Sequence, residues 1–169
     1  MLAGDLWDTV DGGFFRYALA EDWSQPRQEK LLETNAALLD AYAHAAVLRA
    51  RSDWREIAER IVAWCNGTLR LPSALWAASQ SADPSYFAHD RAGRAGATRP
   101  PVDTTIYTSA NARWIAALAR TGARLQQDEW VHAAEDAMHV LQSSMRSING
   151  GFYHYAGPDE SPRFDFLLA

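Results

Sequence analysis

The sequence predicts an all-α fold: an arc of an α/α toroid made of helical hairpins joined by short aromatic extended segments. Three observations carry this. The stretch Gly12-Gly-Phe-Phe-Arg-Tyr-Ala18 returns near the other end as Gly150-Gly-Phe-Tyr-His-Tyr-Ala156. The segment Asn35-Ala-Ala-Leu-Leu-Asp-Ala-Tyr-Ala reappears 76 residues later as Asn111-Ala-Arg-Trp-Ile-Ala-Ala-Leu-Ala, and the same offset sets Trp54 on Trp130, Glu59 on Glu135 and Arg70 on Arg146. Self-similarity at a fixed period marks a repeat architecture. Finally, each unit couples a helix that is apolar on several sides to an amphipathic one, the alternation of an inner and an outer ring. A solenoid of helix pairs is the alternative that this alternation allows.

The elements follow in order. An inner helix is expected to start near Pro26, a favoured first-turn residue, which puts Glu29 and Lys30 in its first turn. Residues 31–48 are apolar or small nearly all round. Arg51-Ser-Asp53 is a joint at which Ser or Asp would cap the next helix. The outer helix, 53–70, carries Trp54, Ile57, Ile61, Trp64 and Leu69 on one stripe. Leu75-Trp76 leads on, 112–119 belongs to the second inner helix, and Gln126-Gln-Asp128 opens the second outer helix, 129–146. Paired glycines then supply backbone angles denied to other residues, so the repeated motif reads first as a joint between rings. Such joints also wall a toroid's cavity, where aromatic faces suit sugars. Residues 1–169 read as one partial domain whose end, Phe164–Ala169, is where the next inner helix should begin.

Composition narrows the function classes. A chain of 169 residues with 48% apolar content suits one packed domain. Its net charge of −5 and lack of a basic stripe argue against a nucleic-acid or anionic-membrane partner. No apolar run reaches 18 residues and no signal-like start is present, so a cytoplasmic protein is expected. The lone cysteine, Cys65, excludes a disulfide framework and reads as a buried small apolar residue. No HExxH and no histidine pair at i, i+4 exists, and His132 and His139, seven apart on an outer helix, are expected to point away from any cavity, so neither a metal nor a cofactor is expected. Seven Trp, six Tyr and six Phe are the outlier.

Further motifs resemble a known family. Gly12-Gly-Phe-Phe-Arg-Tyr17, Asp22-Trp-Ser-Gln-Pro26 and Glu29-Lys-Leu-Leu-Glu-Thr-Asn35-Ala are followed by Ser79-Gln-Ser-Ala-Asp83, Pro101-Val-Asp-Thr-Thr105 and Thr108-Ser-Ala-Asn111. In this order they resemble the helical region of thioredoxin-domain proteins related to spermatogenesis-associated protein 20. The resemblance implies a six-hairpin, glycosidase-like toroid similar to those of N-acylglucosamine 2-epimerase and cellobiose epimerase. The departures are specific. The 169 residues hold no thioredoxin segment, the family's P-H-x-E-K is Pro26-Arg-Gln-Glu-Lys30, its S-Q-D-A-D has Ser81, and its T-x-W-N has Ala110.

Epimerisation on such toroids uses a histidine pair, or a histidine and a carboxylate, as acid and base. Glu29 is the candidate catalytic residue. Arg16, Tyr17, Trp23, Lys30, Asn35, Asp83 and Asn111 are candidates for binding substrate. Structural roles compete: Glu29 would pair with Arg16, Asn111 would bond the backbone of a neighbouring loop, and His44 would be packed or hydrogen-bonded within its helix. With the histidine and one aspartate gone, a degenerate half-toroid acting as a binding or assembly module is expected ahead of a sugar epimerase, isomerase or glycosidase. Exposed flanks of an arc would be covered in a homodimer through Leu38, Tyr42, Trp114 and Leu118.

Overall fold

A computed structural model describes residues 4–159 and 161–166. Two helical hairpins dominate it. The first pairs α1 (Leu32–Arg49) with α2 (Ser52–Trp64), which runs on through a π turn at Cys65–Leu69. An excursion with two short helices, α3 (Pro84–Phe87) and α4 (Arg91–Gly96), leads to the second hairpin, α5 (Thr108–Leu125) and α6 (Asp128–Met145). Each hairpin turns on one left-handed residue, Ala50 at φ 50° and Gln126 at φ 58°, which keep the 76-residue offset. Helices α1 and α5 lie side by side, with α2 and α6 behind them.

Short strands pin the ends. They are β1 (Tyr17–Ala18), β2 (Pro26–Arg27), β3 (Lys30–Leu31), β4 (Ser79–Gln80), β5 (Val102–Asp103), β6 (Ile106–Tyr107), β7 (Phe152–Ala156) and β8 (Pro162–Phe166). β4 lies between β3 and β5, and β7 between β6 and β8, all antiparallel. Register repeats: Lys30 faces Gln80 as Ile106 faces Ala156. β1 pairs with β2 in the same register, Ala18 opposite Pro26.

The glycine motif is therefore a joint used three times. Isolated bridges Trp7–Phe14, Arg70–Trp76 and Arg146–Phe152 mark equivalent points. Just before each aromatic lies a turn residue with positive φ: Gly12 at 84°, Ala74 at 69° and Gly150 at 95°. The middle copy, Ala74-Leu-Trp-Ala-Ala-Ser-Gln80, shares no glycine with the others. At Gly12 a Cβ would come within 2.8 Å of the Arg60 carbonyl oxygen, and at Gly13 within 2.7 Å of the Trp64 ring. Both glycines let the joint lie flat on α2.

The structure corrects several expectations. The first inner helix starts at Leu32, not near Pro26; Pro26–Arg27 and Lys30–Leu31 are instead held as strands by β1 and β4. Glu29 and Lys30 thus lie before the helix. Neither Ser52, Asp53 nor Asp128 caps a helix. The acids sit inside the first turns, where they favour the helix dipole, and Asp53 is also paired with Arg51. His44 is exposed rather than packed. Trp114 and Leu118 are not on an open flank: they are buried within the chain, with Trp76 edge-on to Trp114 at 5.8 Å. Leu38 and Tyr42 are half-buried. Phe164–Phe166 continue β8, and residues 167–169 of the expected next helix lie outside the described residues. Among the described residues no helix is long and apolar enough to cross a membrane.

Candidate functional site

The main concavity is a groove of about 1050 Å³ between the first joint and the front faces of α1 and α5. Its aromatic wall is Tyr17 and Trp23, which are 45% and 47% exposed. Trp23 is held in the left-handed region at φ 67°, a costly conformation for a tryptophan. Three contacts fix it: its N–H donates to the Ala20 carbonyl, Asp5 N–H donates to its carbonyl, and Asp22 accepts from Ser24 N–H. Gly4 packs behind, where a Cβ would meet Trp23 Cβ at 2.5 Å.

The floor is a ladder of charges between the two inner helices. Glu33 pairs with Arg113, and Asp40 pairs with Arg120 at 3.4 Å and Arg124 at 3.1 Å. Partial burial pushes the Asp40 carboxyl up, but hydrogen bonds and charge from Arg124 and Arg120 outweigh it and hold the group below its usual range. It stays ionised, so it is an acceptor rather than a proton donor. Glu33, Asp40, Arg113 and Arg120 escaped the sequence reading. Their signal was available: each pair of like charges is seven residues apart, two turns on one helix face.

The expected site residues divide into three groups. Arg16, Tyr17 and Trp23 line the groove. Glu29 lies outside it, in an adjoining recess of about 330 Å³ that Arg16 and Tyr17 also border, and its carboxylate takes a 2.8 Å hydrogen bond from Arg16 Nη1. Lys30, Asn35 and Asn111 are inside the protein, each 0% exposed. Asp83 stands on the excursion and caps α3, accepting from Ser85 and Tyr86 N–H.

The two asparagines do the same work 76 residues apart. Asn35 Oδ1 accepts from Phe14 N–H at 2.7 Å and its Nδ2 donates to the Phe14 and Leu31 carbonyls. Asn111 binds Trp76 and Tyr107 in the same way. Each satisfies a buried peptide group of a joint where no strand neighbour reaches it. The ammonium of Lys30 donates to Asp8 Oδ2 at 2.6 Å and to the Gly12 carbonyl, with the Phe15, Trp64 and Phe87 rings 5.0–5.2 Å away. Burial pulls its pKa down to about 8, although Asp8 opposes the shift. Arg94 closes the cluster, donating to Asp8 and Asp11 and to the Phe87 and His89 carbonyls. It staples the excursion to the first joint.

No protein-family model and no curated protein matches the chain. Solved structures do. Cellobiose 2-epimerase from Spirochaeta thermophila DSM 6192 aligns with a TM-score of 0.74 at 19% identity, over 97% of this chain and 37% of that one. A sugar epimerase from a ruminal bacterium gives 0.73 at 15%, over 97% and 38%. A family 76 glycoside hydrolase from a bovine Bacteroides thetaiotaomicron strain gives 0.64 at 15%, over 83% and 27%. At these identities the likeness shows the fold, that of an α/α toroid, and the chain spans 27–38% of these three structures. The resemblance to the thioredoxin-domain family rests on its motifs alone.

Proposed function

We propose that this chain binds carbohydrate in the α1–α5 groove without transforming it. The carrying observation is the pairing of two half-exposed aromatics with a floor whose carboxylates, Glu33 and Asp40, are each tied to arginine. Aromatic faces pack against the C–H faces of sugar rings, and the ladder offers both acceptors and donors to hydroxyl groups. General acid catalysis needs a neutral carboxylic acid near working pH; Asp40 is held ionised. The carbohydrate class draws support from the structural neighbours, which are sugar epimerases and a glycoside hydrolase.

The competing reading, a sugar epimerase, isomerase or glycosidase, rests on Glu29. Its carboxylate sits beside Tyr17 at the edge of the groove, and Arg16 could hand it to a substrate. A panel of mono- and disaccharides screened by thermal shift tests binding. The proposal expects at least one saturable stabilisation that Trp23→Ala removes; flat curves across the panel would contradict it. The assembly part of the proposal takes residues 1–169 as one partial toroid domain. A second copy would meet the chain along α1, at the half-buried Leu38, which also lines the groove, and at Tyr42, which stacks on Phe14 at 5.4 Å.

A further inference from the structure

The recess beside the groove holds an arginine with nothing to neutralise it. Arg16, Tyr17, Arg27, Glu29, Ser81 and Ala82 border this hollow of about 330 Å³. Strand pairing assembles it. Tyr17 stands opposite Arg27 across β1 and β2, and side chains directly opposite in an antiparallel pair share a face. The Lys30–Gln80 pair of β3 and β4 brings Ser81 beside Glu29. Arg16 N–H closes the corner, shared between the Arg27 carbonyl at 3.1 Å and the Glu29 carbonyl at 2.8 Å.

Charged side chains line the groove and the recess in matched pairs, with one left over. Glu33 is tied to Arg113, Asp40 to Arg120 and Glu29 to Arg16. Arg27 is exposed, and among the described residues its side chain makes no ion pair and no hydrogen bond. Arg16 gives only Nη1 to Glu29, and its guanidinium lies 5.9 Å from the centre of the Tyr17 ring. The Tyr17 and Ser81 hydroxyls are unbonded among the described residues too. The recess therefore presents guanidinium and hydroxyl groups free to donate, while its one carboxylate is engaged.

Such a set answers an oxyanion, whose oxygens only accept and which a guanidinium can take in two parallel bonds. A chain of net charge −5 has no wider basic surface for a polyanion, so the match is to one anionic group on a small ligand. Arg16 and Tyr17 border both hollows, so a ring against Tyr17 and Trp23 can extend a substituent into the recess. We propose that the groove's ligand is an acidic carbohydrate, a sugar whose phosphate or carboxylate group is received by Arg27 and the free N–H groups of Arg16. The proposal rests on carbohydrate binding in the groove and adds the charge of the ligand.

Isothermal titration of the 169-residue chain at low salt tests it, with glucose, glucose 6-phosphate, glucuronate and inorganic phosphate as probes. At least one acidic sugar is expected to bind about tenfold or more tighter than glucose, and the two acidic arms tell phosphate from carboxylate. Added salt narrows the gap. Arg27→Gln and, separately, Ser81→Glu bring the acidic sugar to within about twofold of glucose, with the thermal melt unchanged. Trp23→Ala weakens it as well, since the ring sits in the groove. Three outcomes overturn the proposal while carbohydrate binding stands. One is a neutral sugar that binds through Trp23 when no acidic sugar binds tighter. Another is inorganic phosphate binding as tightly as glucose 6-phosphate, which would make the recess an anion site indifferent to sugar. The third is a preference for acidic sugars that survives both recess variants. Silence from every sugar, acidic or neutral, would remove carbohydrate binding and this proposal together.

Discussion

Single residues carry two separable kinds of polarity. Asn35 and Asn111 hold peptide groups that nothing else reaches, so Asn35→Ala leaves a buried N–H and carbonyl unpaired. A loss of about 2–3 kcal/mol is expected for either asparagine, read by chemical denaturation. Glu29→Gln, at a half-exposed ion pair, should stay within about 0.5 kcal/mol. Lys30 gives a pH signature. Its folded pKa near 8 lies below the ordinary 10.5 because burial disfavours the charge. Between those values the unfolded chain holds a proton that the folded chain has released, so this group's contribution to stability rises with pH. Denaturation of wild type and Lys30→Met should diverge in favour of wild type as pH climbs through that window. A constant difference would refute it. Residue types alone marked Lys30, Asn35 and Asn111 as polar among apolar neighbours, but could not tell a ligand-binding side chain from one that binds its own backbone. Only the position of the joints decides that.

At the scale of elements, the repeated hairpin was legible because periodicity and composition recur at one offset. The middle joint was legible only as its aromatic stretch, Leu75-Trp76, the counterpart of Gly151-Phe152-Tyr153, and its turn was not. It is defined by a backbone angle and a buried aromatic, and Ala74 occupies the angle at which its twins carry glycine. In the groove's ladder the seven-residue spacing of like charges was legible, but not their pairing, because Glu33–Arg113 and Asp40–Arg120 meet across helices that sequence spacing does not dock. The start of α1 was misplaced because Pro26 suits a helix's first turn and an edge strand alike. Joint geometry makes a paired prediction. Gly12→Ala meets both a positive φ and the Arg60 carbonyl, and should cost about 2 kcal/mol or more. Ala74→Gly relieves a left-handed alanine at the expense of chain entropy, and should be neutral or stabilising by about 0.5 kcal/mol. Thermal melts of the two variants moving in the same direction would contradict the equivalence of the joints.

For the whole molecule, two hairpins and three joints form a stretch of toroid with its inner helices side by side and a groove along their front. The excursion tied down by Arg94 thickens one rim. The proposed homodimer would give a light-scattering mass near twice 18.8 kDa at micromolar concentration, lowered by Leu38→Glu; a monomer in wild type would remove it. The central claim is recognition without turnover, and proton NMR of a sugar that scores in the panel tests both halves at once. Saturation transfer from protein to sugar, with the sugar's anomeric signals unchanged over a day and the transfer lost in Trp23→Ala, is the predicted result. New epimer or hydrolysis signals that grow with time and disappear in Glu29→Gln would contradict it.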